Sequence, residues 1–259
     1  MIHYHGTPLG GSYDRMDKFC RGRNFLIPFP RPDDLSIVAD LCQSFIFDNG
    51  AFSYWKKGTP VKDWSDYYSW VKEWCRHPRF NFAIIPDVIG GTEEENNELF
   101  VEWFKRAKID LDEEKEFNGN WVEGAPVWHF SESLERLRYL MQHANVVCIA
   151  NDDYERWIRG GENYHQRIEE AMSVLCDSSG RPRRKIHGLA MLSNSIVERY
   201  PFYSADSSYA AQSSRLDSRF GMYKPPSNWM RLQVLASRIE DTVSPSTYQK
   251  ITEEQYSLF

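Results

Sequence analysis

The chain has 259 residues, 41% hydrophobic and 26% charged, with a formal net charge of −6. That balance is ordinary for a folded globular protein, and it excludes a generally basic nucleic-acid coat, so any polyanion must be met by a local basic surface. Five scattered cysteines without a CxxC pair exclude a disulfide framework and a cysteine zinc site. With no membrane-length apolar run and no signal-like leader in "MIHYHGTPLGG", a cytoplasmic location without membrane contact is expected.

In chain order, short apolar runs alternate with longer amphipathic stretches. Strands are expected at "IHYHG" (Ile2 to Gly6), "FIFDNG" (Phe45 to Gly50), "FAIIPDV" (Phe82 to Val88) and "APVWHF" (Ala125 to Phe130), then from Val146, Lys185 and Phe202. Helices are expected over "WSDYYSWVKEWC", "EEENNELFVEWFKRA", "SESLERLRYLMQ", "YHQRIEEAMSVLC", "SNSIVERY" and "NWMRLQVLASRI". The tail "SPSTYQKITEEQYSLF" reads as a capped terminal helix, and "DLDEEKEFNGN" as a polar loop. Seven strand signals alternating with helices, without a dinucleotide glycine fingerprint, predict one α/β domain over 1–259: a (β/α)8 TIM-type barrel with a C-terminal helical segment. An eighth strand has no clear signal.

The polar residues fall at strand exits: His5, Asp48, Asp87, His129, Asn151, His187 with Gly188, and Asp206. A TIM-type barrel builds its site at the C-terminal ends of its strands. Each residue alone also reads as a helix cap or a structural histidine; seven together point to a site. Two chemistries fit. Paired carboxylates suit nucleophilic and acid–base work at an anomeric carbon. The HxH of His3 and His5, with His129, His187 and Asp206, suits a metal-dependent hydrolase of the amidohydrolase type, although no bridging lysine stands out.

Taken in order, the strand ends resemble the tRNA-guanine transglycosylase superfamily, most closely its DNA-modifying branch. "FIFDNGAF" is similar to that family's DSGGF strand end, and "IIPDV" to the strand whose aspartate reads the base edge. "PVWHF" stands where the family has VQG, with His129 in the place of its glutamine. "VCIAND" stands at the next, glycine-rich strand, with Ala150 and Asn151 replacing glycines. "KIHGLAMLSNSIVERYPFYSADSS" looks like the closing element.

The resemblance implies a base exchange that replaces guanine in DNA with a 7-deazaguanine, the 7-cyano form, through a covalent aspartyl intermediate and without cofactor or metal. Asp206 would be the nucleophile and Asp48 the proton-transfer group. Phe52 and His187 would stack on the base, Asp87 would bind its edge, and His129, Ala150, Asn151 and Gly188 would line its pocket. The implied partners are a DNA substrate, a free 7-deazaguanine base and a protein partner supplying DNA-binding surface. Arg181, Arg183, Arg184 and Lys185 in "GRPRRK" (Gly180 to Lys185) form one candidate basic surface within the chain, and Arg215, Arg219 and Lys224 form another. The zinc site of the tRNA enzymes has no counterpart after Cys176, which favours the DNA branch over a tRNA-acting relative. A non-enzymatic barrel that only binds nucleic acid is a third reading.

Overall fold

The computed structural model describes residues 1–107 and 122–249. Among the described residues nine parallel strand segments are present: β1 (Ile2–Gly6), β2 (Asn24–Pro28), β3 (Ser44–Asp48), β4 (Phe80–Ile84), β5 (Gly124–Ala125), β6 (Val127–His129), β7 (Val146–Ala150), β8 (Lys185–Gly188) and β9 (Ser204–Ser207). They are ordered β5-β4-β3-β2-β1-β9-β8-β7-β6. The two edges of this sheet are consecutive pieces of chain separated only by Pro126, which has no N–H to give to a ladder. The Ala125 carbonyl accepts from Ile85 N at 3.0 Å on one side, and the Pro126 carbonyl accepts from Cys148 N at 2.9 Å on the other. One proline-broken strand thus joins both edges, and the nine segments form an almost closed TIM-type barrel.

Between the strands run α1 (Tyr13–Cys20), α2 (Leu35–Leu41), α3 (Ala51–Lys56), α4 (Ser65–Trp74), α5 (Glu93–Arg106), α6 (Leu134–His143), α7 (Glu162–Leu175) and α8 (Asn194–Val197), and after β9 come α9 (Tyr209–Ser213) and α10 (Asn228–Glu240). The α5 start is fixed by a capping box: Thr92 Oγ1 accepts from Glu95 N, and the Glu95 carboxylate accepts from Thr92 N. The strand absent from the sequence reading is β2, which pairs with β1 and β3. The polar stretch at 110–120 and most of the expected terminal helix (from 250 onward) lie outside the described residues.

Alternation along the strands builds two apolar layers. Tyr4, Leu26, Ile46, Phe82, Ile84, Ala125, Val127, Val146 and Cys148 fill the barrel interior. Phe25, Phe45, Phe47, Val147, Ile149 and Ile186 face the helices. Many of the rings belong to this outer layer: Phe47 stacks on Trp70 at 3.8 Å between centroids, and Trp103, Trp128 and Tyr67 are fully buried. Among the described residues, no helix is long and apolar enough to cross a membrane.

The β3 exit shows how closely the mouth is built. Gly50 precedes α3 with φ +78°, and a Cβ there would stand 2.4 Å from the Pro30 ring. Left-handed backbone costs a non-glycine residue about 1–2 kcal/mol, and the proline contact adds packing strain. Gly50→Ala is therefore expected to lower the unfolding free energy, read from the urea midpoint and slope, by at least that backbone cost.

Candidate active site at the barrel mouth

Pairing register places Asp48, His129, Ala150 and Asp206 on the interior face at the C-terminal mouth, with His187 one layer deeper beside Cys148 and Ser204. Asp87 arrives from the segment after β4. Asp48, Asp87 and Asp206 lie close enough for the charges of the other two to act on Asp48, and all three act on Cys148 beneath them.

Asp48 is half-buried, and Gly50 N donates to its Oδ1 at 3.1 Å. Burial raises its carboxyl to about 7; the charges of Asp206 and Asp87 add to the rise, and the Gly50 bond opposes it. Asp206 Oδ1 accepts from Ala190 N at 2.8 Å. Ala190 holds φ +53°, an uncommon conformation for a residue with a Cβ, so the loop after β8 is bent to aim that N–H at the carboxylate.

Asp87 ends a buried chain of alternating charge. Its Oδ1 accepts from Asn49 Nδ2 at 2.8 Å, and its Oδ2 lies 2.9 Å from His129 Nε2. His129 Nδ1 lies 3.4 Å from Glu132 Oε1, and Glu132 Oε2 accepts from Arg136 Nη1 at 2.5 Å. Asn96 Nδ2 also donates to Glu132 at 2.9 Å. Burial by itself would lower the His129 imidazole, but its bonds to Asp87 and Glu132, with their charges, outweigh that and push it to about 10. Burial would raise Glu132, yet His129 and Arg136 hold it below the usual carboxylate range. The raised imidazole favours the protonated ring, held between the Asp87 and Glu132 side chains. Asn49, Asn96, Glu132 and Arg136 were missed from sequence. Their one signal is the spacing of Glu132 and Arg136 at three and seven residues after His129, which also reads as an ordinary helix start.

Several expected roles do not fit the geometry. His187 is fully buried: Nδ1 lies 2.8 Å from Ser204 Oγ, Nε2 lies 3.4 Å from Asp206 Oδ1, and its ring meets Tyr4 and Phe82 edge-on. It has no free face on which a base could stack. Asn151 uses both ends of its amide inside its own loop, donating to Trp157 O and accepting from Asp153 N. Gly188 leaves room for Met191 and Phe202, since a Cβ there would stand 2.9 Å from Met191 Cβ. Phe52 is 41% exposed at the rim, 5.8 Å from the ring of Tyr154, which reaches over from the segment after β7.

The HxH pair also turns away from the mouth. His3 and His5 flank the interior-facing Tyr4 and so point into the outer layer. There His3 Nε2 lies 2.8 Å from Thr242 O, and His5 Nε2 lies 2.8 Å from Glu240 Oε1. The amidohydrolase ligand set is therefore not assembled. Among the described residues, no group of three His, Cys, Asp or Glu side chains could hold a metal ion.

No protein-family model matches the chain, and no curated protein does. Two solved structures that are similar come from the hyperthermophile Pyrococcus furiosus. A mutant tryptophan synthase alpha-subunit has a TM-score of 0.49, and a structure from the tryptophan synthase α2β2 complex has 0.46. Each is 8% identical and covers 93% of this chain and 96% of that chain. These findings overturn the resemblance to the tRNA-guanine transglycosylase superfamily. The base-exchange activity, the glycosyltransferase class, and the expected partners (a DNA substrate, a free 7-deazaguanine base and a protein supplying DNA-binding surface) are withdrawn. The likeness to the synthase subunits is one of barrel architecture, and short strand-end motifs are what a barrel mouth produces whatever its chemistry.

Proposed function

We propose that the chain is an enzyme that moves protons at the barrel mouth, with Asp48 as the general acid–base, on a small substrate bearing a positive charge or several N–H donors. The observation that carries this is the Asp48 carboxyl, raised to about 7 in a half-buried position beside two further carboxylates. A group at that value is protonated in half its copies near neutrality, which is where transfer in either direction is most effective. A carboxyl perturbed by burial beside other charges, at the strand-end face where barrel enzymes build their sites, is a candidate functional group.

Asp206 and Asp87 take different parts from Asp48. Ala190 N and His129 respectively hold them in place, so they serve as fixed acceptors that orient the substrate. Ala150 keeps the interior wall low, and Phe52 with Tyr154 offers aromatic faces to a cation or flat group entering the mouth.

The test uses benzamidine, a flat aromatic cation, as a probe of the charge logic. Calorimetric titration at pH 8 is expected to give one saturable site. Asp206→Asn should weaken it about tenfold or more, as loss of a charge-assisted pair does. Affinity should fall as pH drops through 7, because protonation removes the Asp48 charge. Benzamide binding as tightly as benzamidine, or affinity flat from pH 5 to 8, would sink the proposal.

A further inference from the structure

At the opposite, N-terminal end of the barrel lies a cleft of about 720 Å³, within the size range of small-molecule sites. Arg183, Arg184 and Lys185 line it beside Asn145, Tyr203 and Glu123, all at or just before strand starts. A second cleft, of about 550 Å³, shares Arg183 and Arg184 and adds Arg138 and Ser173. The two guanidinium groups therefore stand between two concave surfaces. In a chain of net charge −6 this run of cations goes against the overall balance.

The usual account of such a run is a solvated loop. This loop is instead held at several points. Cys176 and Pro182 form an antiparallel bridge. Asp177 Oδ1 accepts from Ser179 N at 2.8 Å and from Arg181 N at 3.0 Å. Tyr248 N donates to Gly180 O at 2.7 Å, and Arg183 N to Leu175 O at 2.8 Å. The side chains are positioned as well: Arg183 Nε donates to Cys176 O at 3.2 Å, and Arg184 Nε to Met141 O at 2.9 Å. The Lys185 ammonium lies 4.7 Å from the Tyr203 ring centre. These contacts, with Arg184 Nη1 also donating to Arg183 O at 3.3 Å, use main-chain carbonyls and a ring, so among the described residues the other outer guanidinium N–H groups and the ammonium of these exposed cations remain for a ligand. Among the described lining residues the carboxylate is that of Glu123, which accepts from Asn145 Nδ2 at 3.3 Å.

We infer that this cleft is an anion site for a small molecule carrying several phosphate groups. Two anchored guanidinium forks match phosphate oxygens in pairs, and the ammonium adds a third point of charge. Three cations in one concavity call for a multivalent anion rather than a single carboxylate. The site lies at the end of the barrel away from Asp48, so its ligand is an effector or a second substrate handle and not the molecule that exchanges protons at the mouth. The inference stands whether or not the mouth performs the chemistry proposed above.

The test is calorimetric titration of the full chain with inorganic triphosphate at low ionic strength. One saturable site is expected, with affinity falling as salt rises. Arg183→Gln combined with Arg184→Gln should weaken binding about tenfold or more, in keeping with the loss of charge-assisted bonds. Lys185→Gln, which removes an exposed ammonium without touching the guanidinium anchors, should weaken it by a smaller factor. This single variant keeps the test valid should the double variant fail to fold. No saturation at millimolar triphosphate, affinity unchanged in the Lys185 variant, or binding of heparin while triphosphate is silent would each overturn the assignment.

Discussion

Arg136→Met is expected to destabilise the protein by about 3–5 kcal/mol, the cost of leaving one member of a buried ion pair without its partner. Arg136 Nη1 donates to Glu132 Oε2 and to Val127 O, at 2.5 and 2.7 Å, and Arg136 is only 4% exposed. Methionine fills similar space but returns neither bond, so Glu132 keeps its charge in an interior that no longer balances it. Adding Glu132→Gln to the same chain should recover part of the loss, because the stranded charge is then gone. An internal comparison comes from the exposed Arg138–Glu135 pair on the same helix, at 2.9 Å. Arg138→Met should cost less than about 1 kcal/mol, as exposed pairs do. Urea unfolding of the variants separates the cases; equal midpoints for Arg136→Met and Arg138→Met would show that the buried chain contributes nothing special.

The same chain predicts an alkaline limit to stability. His129 is raised to about 10 in the folded protein, against an ordinary value of about 6.5. A base whose folded value is raised stabilises the fold fully below its unfolded value and loses that contribution as pH climbs to the folded one. Stability should therefore decline between about pH 6.5 and 10, and His129→Gln should flatten that decline in unfolding midpoints measured across the range.

The barrel was readable because its strands are continuous apolar runs separated by amphipathic helices, the pattern of a parallel sheet covered on both sides. β2 escaped because its core is only Phe25, Leu26 and Ile27 before Pro28, and proline argues against a strand interior. The helices α1 and α2, at eight and seven residues, are too short for periodicity to stand out. Asp48, Asp87 and Asp206 were readable as a group because the fold delivers strand ends to one mouth. The direction of His3 and His5 was not, since both faces of a barrel strand are buried and alternation alone does not say which is inside. The Asp87–His129–Glu132–Arg136 chain was also hidden, because its links form between separate segments only once the barrel has assembled. The functional family was misread for a related reason. The motifs that carried it were the strand-end positions shared by any barrel with a polar mouth.

Asp48→Asn is the variant in which function and stability should part company. If Asp48 carries the proton, turnover of a substrate found for the mouth should fall by about 10²–10⁴, the usual contribution of general acid–base catalysis. Stability should move the other way. The folded carboxyl sits near 7 and the unfolded one near 3.9, so the native state binds this proton more tightly. Folding of the wild type is therefore penalised by a growing amount as pH rises from about 4 to 7, with no further change above. Asparagine has no proton to lose, and its side-chain oxygen can still accept from Gly50 N. The variant should match the wild type below about pH 4 and become more stable as pH rises. The gap should reach on the order of 2 kcal/mol by pH 8, after discounting the shift for the solvent that Asp48 still meets. Unfolding midpoints at pH 4 and pH 8 measure this without any substrate. A variant less stable than wild type at pH 8 would mean that Asp48 is a structural carboxylate, held charged by its surroundings, and would remove it from the proposed chemistry. The opposite result would identify the mouth as a place where the fold gives up stability to keep a carboxyl poised near neutrality.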